Sequence, residues 1–172
     1  MRTLFIEDRK EIETIIRSCS TCYLAMSDEG KPYVLPMNFA LDGNTVVLHS
    51  AMEGRLWETL KKNPAVCINW TLGDELAWQN IRVGCSYRVK SKSVIVEGNI
   101  RFVDDYDEKH RLLHVLMSQY SDLEFRFNPP AIRNVAVYQV PISKITAKEF
   151  GVTPGRPGTG NCPVTGEEGG IK

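Results

Sequence analysis

Apolar and polar residues alternate with a period of two through six short stretches of this chain, the pattern of strands that bury one face. In residues 33–40, Tyr33, Leu35, Met37 and Phe39 fall on one face and Val34, Pro36, Asn38 and Ala40 on the other. Leu41-Asp42-Gly43-Asn44 then carries turn chemistry, and residues 45–50 set Val46 and Leu48 opposite Val47 and His49. A β-hairpin is predicted. The other four strands are residues 23–26, 65–72, 91–103 and 135–145, with Asp28-Glu29-Gly30-Lys31 turning between the first two. Pro36 and Pro141 cannot donate to a ladder, which predicts a free edge or a bulge at each, and Gly98 predicts a bend.

Helical spacing is confined to three places. Ile12, Ile15 and Ile16 follow Asp8 and Glu11, a capping box, and end near Cys19. A short run opens at Gly54-Arg55, passes through Trp57 and Leu60, and is stopped by Asn63-Pro64. Asp105 with Glu108 caps a third helix, whose predicted buried stripe is Tyr106, His110, Leu113, Met117 and Tyr120. Residues 73–84 have a weak pattern and predict a loop bordering a ligand cleft. The sum is a mainly β domain with peripheral helices, and no internal repeat.

The 172 residues are enough for one domain with a proper core. Lysine plus arginine and aspartate plus glutamate balance at 21 each, so no broad positive field exists to attract nucleic acid or an anionic membrane. No apolar run approaches the ~20 residues of a membrane span, and a cytoplasmic protein is expected. Five cysteines at uneven spacing argue against a disulfide framework. Cys19-Ser20-Thr21-Cys22 has the form of a redox or zinc half-site, yet no second pair stands at zinc-ligand spacing, and buried structural thiols are expected. After Phe150 the composition turns to glycine, proline and threonine, which divides the chain into a domain over 1–150 and a tail over 151–172. Gly158-Thr159-Gly160 lacks the strand, helix and terminal Lys-Ser or Lys-Thr of a phosphate loop. The tail could fold over a ligand with Arg156 or Cys162 near it.

Candidate chemistry concentrates between Pro32 and Arg55. A helix start with free amides and Arg55 is suited to a phosphate, since N-terminal N–H groups and a guanidinium both pair with its oxygens; a solvated surface arginine is the plainer alternative. His49 and Ser50 place polar groups at a strand end. His110 and His114 stand four apart but lack the glutamate and third ligand of a zinc motif, so no metal site is expected.

These segments resemble the flavin-binding split-barrel family related to pyridoxamine 5'-phosphate oxidase, in its 5-nitroimidazole-resistance-like branch. The resemblance spans about residues 12–148 and rests on the PYV-P-NF strand, the HSA-x-x-GR segment, SVIVEG over residues 93–98 and ITAKE near Lys148. It implies a six-stranded antiparallel split β-barrel, a homodimer, and FMN in clefts at the dimer interface. Carried over by position, Pro36, Met37, Asn38 and Phe39 would line the flavin through their strand backbone, and His49, Ser50 and Ala51 would pass along it. Gly54 and Arg55 would hold the phosphate, and Ser93 would assist, across the interface. Leu56 stands where the family has a lysine after this arginine, so either Lys61 or Lys62 substitutes or the phosphate is held less tightly.

The activity implied is an FMN-dependent oxidoreductase that passes electrons from a nicotinamide nucleotide to a small acceptor such as a nitroaromatic. His49 would be its catalytic residue, as proton donor or substrate-orienting group, or else only a hydrogen-bond partner of the cofactor. Two alternatives stand beside it. A pyridoxamine-phosphate oxidase proper would need a Trp- and Arg-bearing closing segment, and no tryptophan follows Trp78. A flavin- or haem-binding protein without turnover would need only the barrel.

Overall fold

The structure is a computed structural model that describes residues 2–152. Its elements are β1 (Arg2–Phe5), α1 (Arg9–Arg17), β2 (Cys22–Asp28), β3 (Lys31–Met37), β4 (Phe39–Asp42), β5 (Thr45–Ala51), α2 (Gly54–Lys62), β6 (Ala65–Ala77), β7 (Arg88–Asn99), β8 (Arg101–Val103), α3 (Tyr106–Ser118), α4 (Pro129–Arg133), β9 (Val135–Pro141) and β10 (Lys144–Val152), with a 3-10 turn at Gly84–Ser86. The strands form a six-stranded sheet, β1-β10-β7-β6-β2-β3, and a four-stranded sheet, β4-β5-β9-β8. Each strand pair is antiparallel.

All six predicted strands are present, but three of them bend and change sheet. The chain passes from β3 to β4 at Asn38, from β7 to β8 at Ile100, and from β9 to β10 at Ile142-Ser143. The predicted hairpin is therefore only half as long. Phe39 to Asp42 pair with Thr45 to Leu48, whereas Tyr33 to Met37 pair with β2, Leu35 opposite Leu24. Strand β6 also runs further than its pattern suggested, through a register shift between Leu72 and Glu75 where Gly73 has φ 89°. Residues 73–77 of the expected 73–84 loop are thus strand. Among the described residues the hydrogen bonding gives two sheets joined at corners rather than one closed six-stranded ring. Pro36 lies on β3, an edge strand, where its missing N–H costs the ladder nothing.

The two sheets enclose one core. Leu24, Ile68, Trp70, Val94 and Val96 of the large sheet meet Phe39, Val46, Leu48, Tyr138 and Val140 of the small one. Phe39 and Trp70 pack edge to face with centroids 5.3 Å apart. Ile12, Ile15 and Ile16 of α1 and Leu56 and Leu60 of α2 complete this core. A second cluster covers the opposite face of the small sheet, where Ala40, Val47, Val103 and Val137 receive Leu112, Leu113 and Leu116 of α3 and Ile132 of α4. The buried stripe of α3 is therefore Lys109, Leu112, Leu113 and Leu116, rotated from the expected one. The three leucines outweigh the tyrosine and histidine of the expected stripe, and Lys109 is accommodated because its Nζ donates to Val135 O at 3.0 Å.

Both predicted N-caps form, through Asp8 to Lys10 N–H at 3.1 Å and Asp105 to Glu108 N–H at 2.8 Å. The return arms of the boxes do not, because Glu11 takes Lys92 and Glu108 takes Arg111. Cys19 and Cys22 are buried core side chains, and burial pushes the Cys22 thiol up to about 12. At Gly98 an added Cβ would stand 2.6 Å from Pro141 O and 2.7 Å from Val140 Cγ1, so the corner between β7 and β8 is closed against β9 by backbone. Strand β10 carries the described chain to Val152, and Arg156 and Cys162 lie outside the described residues.

Candidate functional site

Because the chain turns from one sheet to the other at Asn38, that side chain stands exposed at the corner instead of facing a neighbour strand. Strand β5 sends Val46 and Leu48 into the main core and Val47 toward α3; His49, two residues on, follows Val47 to the end of the seam between β5, α3 and α4. There Asn38, His49, Leu113, Met117, Tyr120, Phe127 and Val135 line a 460 Å³ cleft. Its walls are mainly apolar, and its polar groups come from Asn38, His49 and Tyr120. The Tyr120 hydroxyl accepts Phe39 N–H at 2.8 Å, which fixes one wall to the start of β4.

His49 Nδ1 is buried and has no hydrogen-bond partner among the described residues. A buried ring nitrogen left unpaired is costly, so it calls for a partner supplied by a ligand or water. Burial also lowers the His49 pKa below 6.5, which keeps the imidazole neutral at pH 7. In that state it can donate through one nitrogen and accept through the other, but it holds no surplus proton.

Further along β5, Ser50 Oγ donates to Ala51 O at 2.7 Å, and with its one hydrogen so committed it accepts from Tyr138 Oη at 2.6 Å. Ala51, Met52, Glu53 and Asn134 line a smaller cleft of 270 Å³ beside the first turn of α2. Asn134 and Val135 are consecutive, so the two clefts follow one another along β5 and β9. Glu53 makes no side-chain cap, and Gly54, at φ 88°, turns the backbone into the helix. Arg55 Nε donates to Asp28 Oδ2 at 2.8 Å, and the guanidinium lies 4.1 Å from the centroid of the Tyr33 ring. Leu56 is buried in the main core, while Lys62 pairs with Glu29 at 2.9 Å and Lys61 with Glu58 at 3.7 Å.

The structure thus brings Asn38 and His49 together and puts Ala51 and Gly54 next along the same course. Met37 and Phe39 bury their side chains in the core, which leaves for a ligand their backbone, the part expected to line it. Ser93 lies on the outer face of the six-stranded sheet, where Asn69 Nδ2 donates to its Oγ at 2.8 Å. Pro36 shares that face. The register aligns it with Tyr23, Asn69, Ile95 and Thr146 in one row across five strands. Tyr23, Val34 and Ile95 of this face are exposed large apolar residues.

The walls supplied by α4 and by Phe127 escape a period-based reading. Asn128 before Pro129-Pro130 is a legible helix start, with Asn128 Oδ1 accepting Ala131 N–H at 2.8 Å and proline in the first turn. Asp28 and Tyr33 were legible only as a turn and a strand residue. No helix among the described residues is long and apolar enough to cross a membrane.

Residues 8–149 match the family profile described as pyridoxamine 5'-phosphate oxidase. Among solved structures, a protein described as a candidate 5-nitroimidazole antibiotic resistance protein from Bacteroides thetaiotaomicron is 40% identical, with a TM-score of 0.79 over 86% of this chain and 87% of that one. The flavocytochrome Anf3 from Azotobacter vinelandii is 19% identical with a TM-score of 0.73, covering 96% of this chain and 89% of that one. An FAD and haem binding protein from Mycobacterium smegmatis is 15% identical with a TM-score of 0.75, covering 91% and 76%. At those identities the last two show the shared fold alone. No curated protein matches. The chain belongs to the pyridoxamine 5'-phosphate oxidase-like family of split-barrel flavin-binding proteins, close to its 5-nitroimidazole-resistance branch.

Proposed function

We propose that this protein is a cytoplasmic, homodimeric FMN-dependent oxidoreductase that passes electrons from a nicotinamide nucleotide to a small acceptor such as a nitroaromatic. The observation that carries this reading is the unpaired, buried Nδ1 of His49 in a largely apolar cleft that runs on toward an arginine at a helix start. The residues fit a flavin monophosphate. From Asn38 back to Tyr33 the edge strand β3 spans roughly 17 Å at about 3.3 Å per residue, a length suited to a flavin with its ring near the cleft and its phosphate at Arg55. Among the described residues Arg55 is hydrogen-bonded through Nε alone, which leaves two terminal nitrogens for phosphate oxygens.

Bound flavin would supply hydride acceptance and electron transfer. The chain's own part is placement. Asn38 and the backbone of β3 would orient the ring, the apolar walls of α3 and Phe127 would exclude water, and neutral His49 would orient the acceptor through a hydrogen bond rather than donate a stored proton. The exposed apolar residues on the outer face of the six-stranded sheet suit a second copy of the chain. Docked there, the partner would bring a second Ser93 toward the β3 edge.

An anaerobic visible spectrum of the purified protein, taken before and after a nicotinamide donor and then a nitroimidazole, tests the proposal. Flavin bands that bleach and then recover are the expected result. Flavin that stays oxidised with both nicotinamide donors refutes the reductase, and a protein that takes up no FMN refutes the cofactor. A haem band in its place would indicate a binding protein.

A further inference from the structure

Arg55 is held from two sides. Its Nε–H donates to Asp28 Oδ2 at 2.8 Å, and its guanidinium lies flat enough on Tyr33 to approach the ring centroid at 4.1 Å. Asp28 is itself restrained. It ends β2 at a turn whose Glu29 and Gly30 have φ 52° and 83°. Lys62 and Glu29, 2.9 Å apart, tie the same turn to the same helix a second time. Exposed ion pairs usually contribute little because both side chains must be ordered to form them. Here the turn and the half-buried Tyr33 restrain the guanidinium from two sides.

We propose that Asp28 is a positioning residue for the flavin phosphate. Together with Tyr33 it holds Arg55 in one rotamer, occupies Nε, and leaves the edge formed by the two terminal nitrogens for bidentate pairing with phosphate oxygens. This rests on the reading of Arg55 as the phosphate ligand. It matters more in this chain because Leu56, buried in the core, stands where the family resemblance expects a lysine, and Lys61 and Lys62 are paired with Glu58 and Glu29. Phosphate affinity then depends on one arginine and on how little freedom it has left to lose. The Asp28 charge opposes the phosphate, but the high dielectric around the half-exposed guanidinium weakens that repulsion. Freezing a free arginine on binding is the larger loss, about three- to tenfold in affinity.

The test titrates the cofactor-free protein with FMN and with riboflavin, following flavin fluorescence, for wild type, Asp28→Ala, Asp28→Asn and Arg55→Ala. Asp28→Ala should weaken FMN by about three- to tenfold and leave riboflavin within about twofold. Asp28→Asn keeps an acceptor oxygen and should stay within about twofold of wild type for both. Asp28→Ala binding FMN as well as or better than wild type overturns the proposal, and so does equal loss of both ligands, which would indicate a merely structural role. If Asp28→Ala does not fold, Tyr33→Leu carries the same expectation by removing the stacked face. Arg55→Ala separates the two levels of argument. A retained preference for FMN over riboflavin in that variant places the phosphate elsewhere and refutes the functional reading itself. Preference lost in Arg55→Ala but kept in Asp28→Ala refutes only the role of Asp28.

Discussion

Replacing Gly98 by alanine tests whether the corner that carries the chain from the large sheet into the small one is closed by packing. The new methyl would meet Pro141 O at 2.6 Å and Val140 Cγ1 at 2.7 Å, both well inside ordinary contact distance. Val140 is fully buried and Pro141 pairs with Thr45 across the ladder, so neither can retreat without disturbing β9 against β5. Overpacking by one methylene typically costs ~1–3 kcal/mol, and with a backbone oxygen as the obstacle the upper part of that range, about 2–3 kcal/mol, is expected. For a domain of this size that lowers the thermal midpoint by about 5–10 °C. Gly30→Ala is the control. Its Cβ meets nothing within 4 Å, but its φ of 83° taxes any L-residue, so about 1 kcal/mol is expected from strain alone. Reversible urea unfolding of both variants, with m unchanged, gives the comparison. Gly98→Ala within about 0.5 kcal/mol of wild type, or no worse than Gly30→Ala, would refute the packing argument. Adding Val140→Ala to Gly98→Ala should show a favourable coupling of about 0.5–1 kcal/mol, because one of the two contacts disappears and the carbonyl contact stays.

Two further outcomes follow from titrating groups. Burial lowers the folded-state pKa of His49 below 6.5, so the unfolded chain binds a proton that the native state resists; stability contributed by neutral His49 is complete above pH 6.5 and is lost as pH falls from there through the lower folded-state value. Urea midpoints measured from pH 7.5 to 5.5 should therefore fall more steeply in wild type than in His49→Ala, and equal slopes would refute the burial argument; the same variant should keep bound flavin while its turnover drops. Thiol labelling followed by peptide mapping at pH 7.5 should modify exposed Cys85 well before Cys22, whose thiol burial pushes up to about 12, and early labelling of Cys22 would show that β2 opens locally.

Six strands, two capped helices, the free edge at Pro36 and the tight corner at Gly98 were legible because each is a local event with a local signal. Period two needs only a buried face, and a proline needs only a missing partner. Sheet membership was not legible in the same way. Residues 33–40 alternate without interruption, yet Leu35 pairs with Leu24 of β2 and Leu41 with Val46 of β5, so the pattern continues straight through a change of sheet. The α3 stripe failed for a related reason. Leu112 and Leu116 interleave with His110 and Met117, and which row turns inward is decided by Ala40, Val47 and Val137, residues from three strands that the helix sequence does not contain.

The same division separates the site into a legible part and a hidden one. His49, Gly54 and Arg55 stand within seven residues and could be read as a strand end running into an anion-ready helix. What equips them lies elsewhere in the chain. Tyr120, 81 residues from Phe39, secures the cleft wall, and Asp28, 27 residues from Arg55, secures the guanidinium. A single sequence records the groups that would touch a ligand more readily than the groups that hold them, because contact chemistry requires particular residue types whereas support requires only geometry. Leu56 illustrates the consequence. By sequence it is a missing cation; in the structure it is a core side chain of α2 that fixes the helix beneath Arg55. If Asp28 and Tyr33 do the work assigned to them, the loss of that cation is compensated by the order imposed on the remaining one, and the ratio of FMN to riboflavin affinity measures that compensation.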